Sequence, residues 1–263
     1  MPGARRPADK ADKIGAGSQT LMRGLDVIEA VANGNPTLTE LAAQLDLTKS
    51  TTHRLASALC ARGFLSTGSR GAAYRLGPKL LELGEVARDQ FDLVEIARPF
   101  IEDLSRRTAD TVHLGVLDHD MALYLDKVNG QRRITISSRV GERQPLTTTG
   151  LGKALLLDHN SSFWRERWND ETPDARNGDA FDQWMARMND YVREGRAFDL
   201  EENEDRIRCV AAPVRGIQGK IVAAISVSSA AQYMDDGRMS ELTADVKGVA
   251  EQISRELGYA PRD

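Results

Sequence analysis

Cysteine is nearly missing from this chain: Cys60 and Cys209 are the only two in 263 residues. They lie far apart with no metal-ligand spacing, which excludes a disulfide scaffold and a zinc knuckle and points to a reducing, cytoplasmic setting. Aromatic residues are also scarce, at 5%, which disfavours a binding site built on stacking. No apolar run approaches the roughly 20 residues that span a bilayer, so no membrane partner is expected. The opening stretch MPGARRPADKADKIGAGS is basic and rich in small residues but has no apolar centre. It does not read as a signal peptide, and residues 1–17 are expected to form a disordered arm. Paired His and carboxylate ligands are lacking, as is a Gly-rich phosphate loop, so no metal and no cofactor is expected. His113, His119 and His159 stand without a nucleophile or ligand at a meaningful spacing.

What is present begins with an uneven charge. The net charge is −4, yet residues 1–77 hold ten Lys plus Arg against six Asp plus Glu, leaving 25 against 33 for the rest. A modestly basic head on an acidic body suits DNA contact confined to one end, because phosphate attraction acts over about 10 Å at ordinary salt.

Residues 37–74 read as helix, tight turn, helix and a two-stranded wing. Thr37 or Thr39 can cap the first helix, and Glu40 can close a capping box from Thr37. Leu38, Leu41, Ala42 and Leu45 share one face. Asp46 occupies the turn position that needs left-handed backbone, which Asp tolerates better than most residues. Thr48 or Ser50 then caps a helix over residues 49–62. Thr52, Leu55, Ala56 and Leu59 form its packing face. Thr48, Lys49, Ser50, Thr51, His53, Arg54 and Ser57 supply hydroxyls, cations and an imidazole at the end that enters a DNA groove. Gly68-Ser69-Arg70-Gly71 makes the wing tip, with Arg70 placed to reach a phosphate or minor groove.

Beyond this motif the pattern defines an α+β protein. Ser18 is placed to cap a helix over residues 19–32, which Asn33-Gly34-Asn35-Pro36 ends. Gly77-Pro78 opens a linker helix, residues 78–91, whose Leu80, Leu81, Leu83 and Val86 have no nearby core and so suit pairing with another subunit. A helix over 92–108 is kinked or restarted at Pro99. Strands are expected over 113–117, 121–128, 134–140, 209–214 and 220–228, the last two joined by Gly216-Ile217-Gln218-Gly219. Helices are expected over 150–157, 182–195 and 239–257. The domains are then residues 18–77 and 92–263, the second a mainly antiparallel sheet flanked by helices.

Five stretches carry a more specific signal: residues 47–55 (LTKSTTHRL), 74–77 (YRLG), 149–156 (TGLGKALL), 199–213, and 223–228 (AAISVS). In this order, from Ser18 to Tyr259, they resemble the isocitrate-lyase-regulator (IclR) family of bacterial transcription factors. The resemblance implies a winged helix-turn-helix, a linker helix and a GAF/PAS-like α+β effector domain. It also implies that the last three stretches line a pocket for a small carboxylate or aromatic effector. The matching positions are Gly150, Leu151, Asp199, Cys209, Ser226 and Ser228, with Leu146, Leu123, Val116 and Ile136 as walls. Their chemistry fits. Gly150 and Leu151 begin a helix, where backbone N–H groups favour a carboxylate. Ser226 and Ser228 point to the same face of a strand. Asp199, read as lying on a loop over the mouth, suits a ligand hydroxyl. With no Arg or Lys at the matched positions, a small sugar acid or keto acid is favoured.

The expected function is a regulator, in the sense of a repressor of a catabolic operon. It would bind a pseudo-palindromic operator as a homodimer or dimer of dimers and respond to the acid. Two alternatives belong to other classes. One is an enzyme using Cys209 as nucleophile, for which no base is evident; the other is an architectural DNA-binding protein without a ligand.

Overall fold

The computed structural model describes residues 16–34, 36–68, 73–90, 92–133, 136–172 and 178–260. The chain divides into two compact units, Met1–Gln90 and Phe91–Asp263. Among the described residues no helix is long and apolar enough to cross a membrane.

The first unit runs α1 (Ala16–Ala32), α2 (Leu38–Gln44), α3 (Lys49–Ala61), β1 (Leu65–Thr67), β2 (Tyr74–Leu76) and α4 (Pro78–Gln90). The capping box forms at α2: Thr37 N–H donates to Glu40 Oε2 at 2.7 Å and Glu40 N–H to Thr37 Oγ1 at 3.4 Å. These bonds hold the Glu40 carboxyl below its usual range. Asp46 adopts φ 50° in the turn. Thr48, and not Ser50, caps α3, its Oγ1 accepting from Thr51 N–H at 3.2 Å. Val27, Val31, Leu41, Leu55, Ala56 and Leu65 close the core. The wing strands pair antiparallel, Leu65 opposite Leu76 and Thr67 opposite Tyr74. Two expectations differ here. Ser18 lies inside the first turn of α1, because the helix begins at Ala16, a good helix former, two residues before it. The wing tip at residues 69–72, Arg70 included, lies outside the described residues.

The second unit is built on a six-stranded antiparallel sheet. Its elements are α5 (Leu93–Thr108), β3 (Thr111–Asp118), β4 (Met121–Val128), β5 (Arg143–Gln144), α6 (Gly150–Leu155), α7 (Ser161–Glu171), α8 (Asp179–Glu194), β6 (Ala197–Leu200), β7 (Ile207–Arg215), β8 (Ile221–Ala230) and α9 (Asp236–Glu256). The strand order is β5-β4-β3-β8-β7-β6. Alternation along each strand sends side chains to two faces. On one face Val112, Leu114, Val210, Ala212, Ile225 and Val227 pack beneath Ile101 and Leu104 of α5 and Val246, Val249 and Ile253 of α9. Each buried Val, Leu or Ile there stabilises by roughly 1.5–3 kcal/mol. On the other face small residues (Ala122, Ala211, Ala224) lie under Leu151 and Leu155 of α6, backed by Trp164, Trp168, Phe181, Trp184 and Met188. All three tryptophans are thus in this core.

Several expectations are corrected. Residues 136–140 form no strand; their backbone is held by Lys127 Nζ, which donates to the carbonyls of Ile136 and Ser138, each at 2.7 Å. Residues 134 and 135 lie outside the described residues. The short edge strand is β5, pairing Arg143 with Leu123 and Gln144 with Ala122. Helix α5 runs through Pro99 as one element. Helix α7 was not expected; Asn160 caps it, accepting from Phe163 N–H at 2.9 Å, and Trp164 and Trp168, four apart, anchor its buried face. Residues 197–200 are a strand, and Asp199 sits within it opposite Cys209.

Candidate functional site

The structure presents two candidate sites, one in each unit. On α3, Lys49, Ser50, His53, Arg54 and Ser57 are exposed, while Thr52, Leu55 and Ala56 turn inward. The split follows from helical spacing and leaves two cations and an imidazole on a single outward surface near the helix N-terminus. Lys49 and Arg54 pair with no carboxylate among the described residues. The hydroxyls of Thr48 and Thr51 bond each other at 2.9 Å while Thr48 caps the helix, so these two residues fix where the helix begins.

In the second unit Gly150, Leu151, Asp199, Cys209, Ser226 and Ser228 all line one cavity of about 270 Å³. Sheet register explains the meeting. Asp199, Cys209, Ser228 and Thr111 stand side by side across β6, β7, β8 and β3, and Ser226 stands beside His113 in the next row. Helix α6 covers this polar stripe and is fixed from three sides. Thr149 caps it through Gly152 N–H at 3.0 Å and donates to Pro145 O at 2.6 Å. Glu171 accepts from Leu146 N–H at 2.8 Å and Thr147 N–H at 2.7 Å. Trp164 and Trp184 donate their indole N–H groups to Leu156 O and Thr147 O. Gly150 is required by proximity: a Cβ there would stand 2.5 Å from Cys209 Sγ.

The electrostatics of the cavity come from burial. Asp199 is 4% exposed, and burial raises its carboxyl to about 6 against the opposing pull of Lys153 and the Glu202 backbone. The Cys209 thiol is pushed up to about 12 by the same cause. It remains a thiol near neutral pH, which removes the chemistry a nucleophile needs. His113, 1% exposed, is held down to about 3 by burial and by Lys127. It is a neutral imidazole, stacked on Tyr124 with ring centres 4.8 Å apart. Its Nε2 lies 2.7 Å from Ser138 Oγ, and its buried Nδ1 has no partner among the described residues.

Sequence reasoning passed over His113, Tyr124 and Ser138, whose place in the cavity depends on strands far apart in the chain. It also passed over Lys153, the one ammonium buried beneath this face among the described residues, which pairs with Glu202 on the loop after β6. Of the expected walls, Ile136 lines the cavity. Leu146 is fully buried in the core behind it, and Val116 packs on the opposite face.

Comparison with known proteins places both halves. Residues 20–68 match the IclR helix-turn-helix domain, and residues 86–255 match the bacterial transcriptional regulator IclR C-terminal domain. The HTH-type transcriptional regulator BhcR of Paracoccus denitrificans is 32% identical over 265 residues, covering 98% of this chain and 94% of that one. The DNA-binding transcriptional repressor YiaJ of Escherichia coli is 31% identical over 259 residues, covering 94% and 91%. The crystal structure of Thermotoga maritima IclR superposes with a TM-score of 0.58 at 28% identity, covering 92% of this chain and 99% of that one. With a helix-turn-helix head, an antiparallel α+β body and matches across both, the chain belongs to the IclR family of bacterial transcriptional regulators.

Proposed function

We propose that this protein is an effector-controlled repressor of a catabolic operon, acting in the cytoplasm. Lys49, Ser50, His53, Arg54 and Ser57 contact phosphates and base edges, with Thr48 and Thr51 fixing the helix that carries them and Arg70 adding a wing contact. A small organic acid, of the sugar-acid or keto-acid kind, occupies the cavity formed by Gly150, Leu151, Asp199, Cys209, Ser226 and Ser228. The observation that carries this reading is the meeting of those six residues, drawn from four separate elements, in one cavity. That the relative YiaJ is named a repressor supports the direction of control.

The protein acts as a homodimer or a dimer of dimers on a pseudo-palindromic operator, since a two-fold protein reads two half-sites. Exposed Leu81 (69%) and Val86 (50%) on α4, with Leu21 (65%) on α1, supply the apolar surface for pairing. The acid shifts the population of DNA-competent arrangements in proportion to its preference for one of them. An architectural role without a ligand leaves the polar cavity without a purpose.

The test is a thermal-shift screen of the full-length protein against keto, sugar and aromatic acids, repeated with Ser226→Ala. A stabiliser that loses its effect in the variant supports the reading. No stabiliser among the acids removes the effector assignment and leaves DNA binding standing. For the head, Lys49→Ala is expected to weaken binding to any duplex and lower the slope of log K against log salt by about one.

A further inference from the structure

The charge of the cavity is at odds with an anionic occupant. Among the described residues its lining includes two carboxylates, Asp199 and Glu204, and neither lysine nor arginine. The nearest cations are committed elsewhere. Lys153 pairs with Glu202, which also accepts from Arg187 at 2.8 Å. Lys127 donates to the backbone carbonyls of Ile136 and Ser138. An acid entering here brings its carboxylate into the same buried space as that of Asp199. Two carboxylates sharing such a site hold one proton between them.

We propose that an organic acid enters this cavity together with one proton from solvent, and that Asp199 carries it. The inference rests on the cavity being the effector site. With the proton in place, Asp199 donates an O–H bond to the ligand, while its Oδ1 continues to accept from Glu202 N–H at 2.9 Å. The ligand stays an anion, and the only bond formed is that O–H.

The groups facing Asp199 leave it as the site of uptake. From α6 comes Lys153, already paired; from β7 comes Cys209, a thiol; from the loop after β6 come Glu202 and Glu204; from β4 comes Tyr124, whose hydroxyl burial raises further. His113 is the rival acceptor, since its Nδ1 is buried and has no partner among the described residues. It stands two strands beyond Cys209, beside Lys127, which opposes its charging.

The sign of the pH dependence follows. Below about 6 Asp199 already holds its proton in the free protein, and affinity is independent of pH. Above that, each acid bound takes up a proton, and the apparent Kd rises by up to about tenfold per pH unit until the bound carboxyl itself ionises.

The experiment is isothermal calorimetry on the full-length protein at pH 7.5, in phosphate and in Tris, with pyruvate and D-gluconate as probes, and Kd followed from pH 5.5 to 8. The expected result is about one proton taken up per acid bound and a Kd that rises at least about tenfold across the range. Asp199→Asn, which keeps the acceptor for Glu202 N–H, should bind with no proton uptake and a flat Kd. Wild-type binding without pH dependence overturns the proposal and leaves the effector site in place. Uptake that persists in Asp199→Asn overturns it by moving the proton to another group. Failure of both probes, together with every acid in the screen at pH 5.5, overturns the effector reading and this inference with it.

Discussion

On β8, Ala223, Ile225 and Val227 turn toward α5 and α9, while Ala224, Ser226 and Ser228 turn toward α6 and the cavity. The same ten residues thus serve two faces of one sheet. On the first, apolar side chains meet apolar side chains from two long helices, and stability is the product. On the second, small residues bring a short glycine-led helix close to the strands and leave room for hydroxyls, a carboxyl, a thiol and an imidazole. The difference teaches that one strand can carry structure and recognition without compromise, because period-two geometry keeps the two sets of side chains apart.

The largest effect is expected on the apolar face. Ile225→Ala should destabilise the protein by about 2–5 kcal/mol, the loss of buried methylenes plus the void they leave. Urea melts of the full-length chain would measure it. A cost below about 1 kcal/mol would mean that this face is not the packed core, and the contrast between faces would fail. Next comes Gly150→Ala on the cavity face, where the added carbon meets Cys209 Sγ at 2.5 Å. Relieving that clash should cost about 1–3 kcal/mol and narrow the cavity. A variant as stable as wild type with unaltered acid binding would show that α6 can lift away freely.

The response to pH comes from the cavity face, which holds both His113 and Asp199. The unfolded chain protonates histidine near 6.5, whereas folded His113 resists until about 3. Its contribution is therefore intact above about 6.5 and is lost as pH falls, by up to about 1.4 kcal/mol per unit. Asp199 works in the opposite sense. Its folded value of about 6 lies above the unfolded one near 3.9, so its contribution grows as pH falls between those values. His113→Phe, which keeps a ring against Tyr124, should leave only the Asp199 share, so that less stability is lost between pH 6.5 and 4.5. Melts across that range check it, and an acid limb as steep as wild type would place the titration elsewhere.

Legibility in the sequence follows the same division between near and far. The capping box of Thr37 and Glu40, the φ of Asp46 and the outward cations of α3 depend on residues within one turn of each other, and the sequence pattern locates all of them. Strand β6 is hidden because it inverts the usual pattern: Asp199 points inward and Leu200 is exposed. An acidic neighbourhood of that kind reads as a loop. Helix α7 is hidden because its buried face is two tryptophans and an arginine in an otherwise charged stretch. Residues 136–140 alternate like a strand, but a lysine side chain takes the place of a neighbouring strand. The resemblance to a family supplied Gly150, Asp199, Cys209 and the two serines. It did not supply His113, whose meaning lies in its register with Ser226 and its stack on Tyr124.

Ser226→Ala should have the smallest effect on stability and the clearest effect on function. Ser226 is fully buried beside the weakly accepting sulfur of Cys209, whose thiol its hydroxyl and that of Ser228 pull down slightly against burial. Removing one oxygen from a site that already contains a cavity opens little new space and strands no strong partner. The unliganded protein should therefore lose no more than about 1 kcal/mol. Acid binding should weaken by about tenfold or more, because the ligand oxygen that met the hydroxyl loses a bond in a buried place. The two readings come from the same variant, one from a melt without ligand and one from a titration. A variant that melts several degrees lower yet binds acids as before would make Ser226 a structural residue and return β8 to a single role. A variant that melts like wild type and no longer binds would separate the two faces of the strand by one atom.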